Sequence, residues 1–153
     1  MLTQAAIISE LNAIEPNLSR LATTADRSDA STVEALTAHG EVRTRANAVT
    51  LISLIDPMTF WRVLPRTLKD PDVLVRLQSV RALENFTLAE LEQHADLVEL
   101  ALKDADSGVR KYIARTAVNL SASSVRQALE SMAASDPEQF VRDEISRSLR
   151  PNR

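Results

Sequence analysis

Apolar residues recur at intervals of three and four along nearly the whole chain, the spacing of one face of an α-helix. Ile7, Ile8, Leu11 and Ile14 share such a face and predict a helix over residues 3–14. After Glu15-Pro16, Leu18 and Leu21 predict a second, short helix to about Ala25, and Asp26 to Ser31 reads as a polar loop. A helix from Thr32 to Ala38 follows, closed by His39-Gly40, where glycine suits a C-terminal cap. The next helix is predicted from Glu41 to Ile55. Asp56-Pro57 then opens one to Lys69, carrying Met58, Phe60, Trp61, Val63, Leu64 and Leu68. Pro65 falls inside it and is expected to kink it. Thr87-Leu88-Ala89-Glu90 is a capping-box pattern that starts a helical run to Lys103, with His94-Ala95-Asp96 a candidate break. Three more helices are predicted, over about Asp106–Leu120, Ser123–Ala134 and Pro137–Arg150, with Pro151 ending the last.

The strongest feature is a stretch that returns. Lys69 to Leu83, KDPDVLVRLQSVRAL, reappears as Lys103 to Ala117, KDADSGVRKYIARTA, and more weakly as Ser135 to Leu149, SDPEQFVRDEISRSL. The Val-Arg pairs Val75-Arg76, Val109-Arg110 and Val141-Arg142 place the arginines 34 and then 32 residues apart. Similarity at such a period is the mark of a solenoid or array. Each copy reads as a helix start. Asp70, Asp104 and Asp136 are expected N-caps, Pro71 and Pro137 the first helical residues, and Asp72, Asp106 and Glu138 negative charge at the positive helix end. Behind them lie Ser79, Val80, Ala82 and Leu83; Ile113, Ala114 and Ala117; and Ile145 and Leu149, as one inward stripe. A degraded copy spans residues 41–55. Aligning Arg45 with Arg76 puts Ala48, Val49, Leu51 and Ile52 at core positions, whereas aligning Arg43 would put Asn47 and Thr50 there, so the Arg45 register is preferred. Residues 1–28 lack the block and read as an N-terminal helical cap; residues 29–153 read as an array of about four helix pairs, all in one structural domain.

Composition supports an all-α reading. The chain has 153 residues, 44% of them apolar, with only two glycines and five aromatic residues. The absence of cysteine excludes disulfides and thiolate metal sites. No secretory signal and no membrane-length apolar run is visible, so a cytoplasmic protein without a membrane partner is expected. Net charge is −3, and no segment is basic enough to announce nucleic-acid binding. Residues 41–86 are the most basic, with seven basic and five acidic side chains.

Paired helices of about this period, with Asp-Pro-x-x-x-Val-Arg opening the second helix, resemble HEAT repeats, closest to the short bacterial HEAT-like type also seen in phycobilin lyases. Residues 70–83, 104–117 and 136–149 carry the likeness, which with the first helices covers about residues 29–150. The resemblance implies a right-handed α-solenoid in which Arg76, Arg110 and Arg142 pair with aspartates of a neighbouring repeat. It implies little about function, since the fold hosts scaffolds, transport receptors, lyase subunits and one group of DNA glycosylases.

Enzyme chemistry finds little support in the residues. His39 and His94 lie 55 residues apart in different repeats, with no HExxH spacing, no nucleophile motif and no Gly-rich phosphate loop around Gly40 or Gly108. No cofactor and no metal is expected. Of Phe60 and Trp61, one is expected in the core and the other partly exposed. The informative positions face outward from the second helices. Leu77, Gln78, Lys111 and Tyr112 follow the Val-Arg pairs, and Arg81, Arg115 and Arg147 each lie five residues after a motif arginine. In stacked repeats these would line a concave face as a cationic ladder with Leu77 and Tyr112 as apolar anchors. The leading expectation is a non-catalytic adaptor or scaffold binding a protein or peptide there. The alternatives are a nucleic-acid binder or HEAT-like glycosylase using Arg45, Arg62, Arg66, Lys69, Arg76 and Arg81, and a lyase-type subunit acting on a chromoprotein.

Overall fold

The computed structural model describes residues 2–13 and 15–149, so Ile14 of the first apolar face and the stop at Arg150-Pro151 lie outside the described residues. Among those described the chain is all-helical, with eleven α-helices and no strand. None of these helices is long and apolar enough to cross a membrane. The chain divides into two compact units, residues 1–85 and 86–153.

The first unit contains α1 (Gln4–Leu11), α2 (Leu18–Thr24), α3 (Ala30–Leu36), α4 (Val42–Ile55), α5 (Pro57–Thr67) and α6 (Val73–Ala82). Helix α4 is its centre: α1, α2, α3, α5 and α6 all pack on it. That explains why its buried residues, Thr44, Ala46, Ala48, Val49, Leu51, Ile52 and Ser53, do not keep to one stripe. A helix covered on several sides is inward-facing nearly all round. Small Ala46 and Ala48 fit such crowding, while Thr44 carries a buried hydroxyl without a hydrogen bond among the described residues. Ile7, Leu11 and Leu21 of the first two helices are buried in this same unit. Asn47 ties it together by donating from Nδ2 to the Leu11 carbonyl at 2.7 Å.

Several local expectations for this unit are corrected. Residues 26–31 are not a loose loop. A single 3-10 turn, Arg27–Asp29, runs straight into α3, and Asp26 and Asp29 close a reciprocal capping box. Asp29 is buried, and its carboxylate also accepts the Leu2 backbone N–H at 3.2 Å. Gly40 does not cap α3: the helix ends at Leu36 with Thr37 as its cap, and no glycine has a positive φ. Pro65 lies in the last turn of α5, which continues past it to Thr67.

The second unit contains α7 (Leu88–Gln93), α8 (Ala95–Leu102), α9 (Ser107–Ala117), α10 (Ser123–Ser135) and α11 (Gln139–Leu149). Here α8 packs on α10 and α9 on α11, with α8–α9 and α10–α11 as the crossing contacts, so two helix pairs stack. Val98, Leu102, Val109, Ile113, Leu129, Val141 and Ile145 fill the space between them. The Thr87–Glu90 capping box forms as its sequence predicts, and the chain breaks at His94, between α7 and α8. The N-cap position of α10 is Ala122, which has no side chain able to cap it. Glu92 supplies the acceptor from α7, taking the N–H groups of Ser121 and Ala122 and the Ser121 hydroxyl.

Candidate functional site

The repeated block builds a clamp. Its first aspartate is not the N-cap. Helix α6 is capped by Asp72 and α9 by Asp106, whose carboxylates accept backbone N–H groups of their own first turns. Asp70, Asp104 and Asp136 stand two residues earlier and accept the N–H of Asp72, Asp106 and Glu138 at 2.8–3.0 Å, closing an Asx turn before the helix. Pro71 and Pro137 therefore sit in that turn rather than at the first helical position, and their fixed φ suits it equally well.

The motif arginines close the clamp. In all four copies Nη1 reaches back to the carbonyl six residues earlier: Arg45 to His39, Arg76 to Asp70, Arg110 to Asp104 and Arg142 to Asp136. Arg45 and Arg110 each also grip a carboxylate from the next copy of the block. Arg45 donates from Nε and Nη2 to Asp70 at 2.9 and 3.1 Å, and Arg110 does the same to Asp136 at 2.8 and 2.9 Å. Arg45, not Arg43, makes this contact, and Asn47 and Thr50 are only half-buried. Fork-to-fork pairing of this kind is both strong and directional.

Both pairs are shielded from water, and their hydrogen bonds outweigh the effect of that burial on the carboxylates. The Arg110 hydrogen bonds, against the opposing effect of burial, hold the Asp136 carboxyl below its ordinary range, and the same bonds raise Arg110 above its own. For Asp70, burial is the largest influence and pushes upward. Arg45 and the Asp72 N–H together outweigh it and leave this carboxyl low as well. Arginines spent in this way hold backbone in place and offer little to a ligand.

The outward positions behave differently. On α6, Arg81 is exposed, while Leu77 and Gln78 are half-buried, so Leu77 is not the fully presented anchor the sequence suggests. Gln78 and Arg81 line a shallow cavity of about 230 Å³ with Thr50, Ala82, Glu84 and Asn85.

On the α9–α11 face of the second unit, Lys111, Arg115 and Arg147 converge. The ladder is not simply cationic there, because Glu144 stands among the three. Its carboxylate lies 3.1 Å from Arg115 Nε, 3.8 Å from Arg147 Nη1 and 4.0 Å from Lys111 Nζ. Lys111 also sits 5.5 Å from the centroid of the Phe140 ring, a cation–π contact, and Phe140 is 43% exposed. Tyr112 is half-buried. Three cations against one carboxylate leave the face positive, beside an aromatic ring open to solvent.

Glu144 and Phe140 are the residues that sequence reasoning missed, and a signal for one existed. Glu144 lies two residues after Arg142, the same offset as Gln78 after Arg76 and Tyr112 after Arg110. Elsewhere, Phe60 is fully buried with the half-buried Trp61 edge-on at 5.4 Å. His39 accepts the Glu41 N–H through Nδ1. Among the described residues no group of three or more His, Asp or Glu side chains is placed to hold a metal ion. Compared with known proteins, the chain matches no family model and no curated protein.

Proposed function

We propose that the chain is a HEAT-like solenoid acting as a non-catalytic adaptor, and that its α9–α11 face receives an acidic protein or peptide segment carrying a hydrophobic residue. The observation that carries the binding part is the grouping of Lys111, Arg115 and Arg147 around a single carboxylate, next to the exposed Phe140 ring. Exposed aromatic and arginine side chains are the types that most often dominate protein contacts. The repeat part is supported by the recurrence of one Arg–Asp clamp in both units and by the stacking of α3 with α5, α4 with α6, α8 with α10 and α9 with α11.

Titration calorimetry tests the binding part. The probes are a short acidic peptide with a central leucine, the same peptide with lysines for its acids, and a short DNA duplex. The proposal expects the acidic peptide to bind and the basic one not to. DNA binding that collapses steeply with salt, with no peptide binding, would shift the function to a nucleic-acid binder.

A further inference from the structure

The first unit has a cavity that the clamp only partly explains. It opens between the turn at residues 38–40 and the turn at residues 69–71 and has a volume of about 440 Å³. Arg45, Arg66, Lys69, Asp70, His39 and Gly40 line it. Three cations thus meet one carboxylate, in a chain whose net charge is −3. Asp70 is already engaged by Arg45 and the Asp72 N–H, so its charge is used within the wall.

The cations are held in different ways. Arg66 is fixed by Thr37, donating to its carbonyl at 3.0 Å and to its hydroxyl at 2.6 Å, with no carboxylate partner among the described residues. A guanidinium has five N–H donors, so Arg66 retains unspent ones in a set position. Lys69 is exposed, and its ammonium makes no hydrogen bond or ion pair with any described residue. His39 accepts the Glu41 N–H through Nδ1 at 3.1 Å, which places the ring proton on Nε2 and leaves that nitrogen a donor. Gly40 adds room, since a Cβ there would meet nothing within 4 Å. Fixed donors, excess positive charge and open space match the requirements of an oxyanion with several acceptor oxygens.

We infer that this cavity binds a phosphoryl anion, either free or carried on a larger group, with Arg66 and Lys69 as its charged contacts. The site lies within residues 1–85 and does not depend on the adaptor reading. Amide chemical shifts of the full chain, followed by NMR at constant ionic strength, test it with inorganic phosphate and with phosphoserine as probes. Saturating shifts are expected at His39, Gly40, Lys69 and Asp70. Lys69→Glu, which breaks no contact of the fold, should weaken binding by about tenfold or more. Arg126→Glu, an exposed cation of the second unit, should leave it unchanged. Whichever probe binds tighter supports the site and tells free from carried phosphate. Shifts that fail to saturate, that spread evenly over the exposed cations, or that are unaltered by Lys69→Glu would overturn it.

Discussion

The Arg45–Asp70 clamp in residues 1–85 and the Arg110–Asp136 clamp in residues 86–153 share a geometry but not a setting. Each arginine makes two parallel bonds to a carboxylate 25 or 26 residues further on and reaches back to a carbonyl six residues earlier. Yet the helix carrying Arg110 begins with Asp106, whose side chain accepts two backbone N–H groups, while the helix carrying Arg45 begins with Glu41, which makes no side-chain cap. Burial is similar: the Arg110 and Arg45 side chains are 11% and 13% exposed. The local start of the helix can decay without loss of the clamp. What the block preserves is the long-range grip, because a carboxylate withdrawn from water needs its partner more than a helix needs its cap.

The comparison breaks first at the arginines. Arg110→Ala should cost about 3 kcal/mol, because it leaves the buried Asp136 carboxylate and the Asp104 and Ala105 carbonyls without their donor. Arg45→Ala should cost nearly as much, about 2–3 kcal/mol, because its Asp70 partner is only slightly more exposed than Asp136, 7% against 3%. Urea denaturation checks both. Equal stability of Arg110→Ala and wild type would mean that the buried clamp is not structural.

Acid should act on the same pairs. Asp136 and Asp70 have folded-state pKa values below those of the unfolded chain. Their stabilisation is therefore fully present above the unfolded value, about pH 4, and is lost as pH falls through the lowered folded values. The acid limb of stability should flatten in Asp136→Asn and, to a smaller degree, in Asp70→Asn. Melting temperatures between neutral and strongly acidic pH measure this, and an unchanged acid limb in Asp136→Asn would contradict the assignment.

The caps should separate the two units more gently. Asp106→Ala should cost about 1 kcal/mol, whereas Glu41→Ala should change stability by only a few tenths, having no cap bond to lose. The smallest effect belongs to the outer face of α6, where Arg81→Gln should stay within about 0.5 kcal/mol of wild type because the side chain is exposed.

Local periodicity made the helices legible, and recurrence made the clamp arginines legible. Val75, Val109 and Val141 are all buried where the period places them. What escaped was decided by partners distant in sequence. Asp70 reads as a cap because capping is a local pattern, but Arg45, 25 residues earlier, claims its carboxylate, and Asp72 takes the cap instead. Ala122 gives no hint that α10 is capped by Glu92, 30 residues away. Glu144 shares the outward offset of Gln78 and Tyr112, but it breaks the similarity between copies, and similarity was the guide to the face. Phe140 carries no repeat signal, since Leu74 and Gly108 occupy its offset in the other copies.

The division of labour between inward and outward cations is tested most directly by one calorimetric titration. It uses the acidic leucine-bearing peptide against the Arg115→Gln, Arg147→Gln double variant, with thermal melting measured on the same sample. Both side chains are mainly exposed, at 59% and 75%. Peptide affinity should fall by about tenfold or more while the melting temperature stays near that of wild type. Wild-type affinity in the double variant would contradict the account and move the binding surface away from the α9–α11 face.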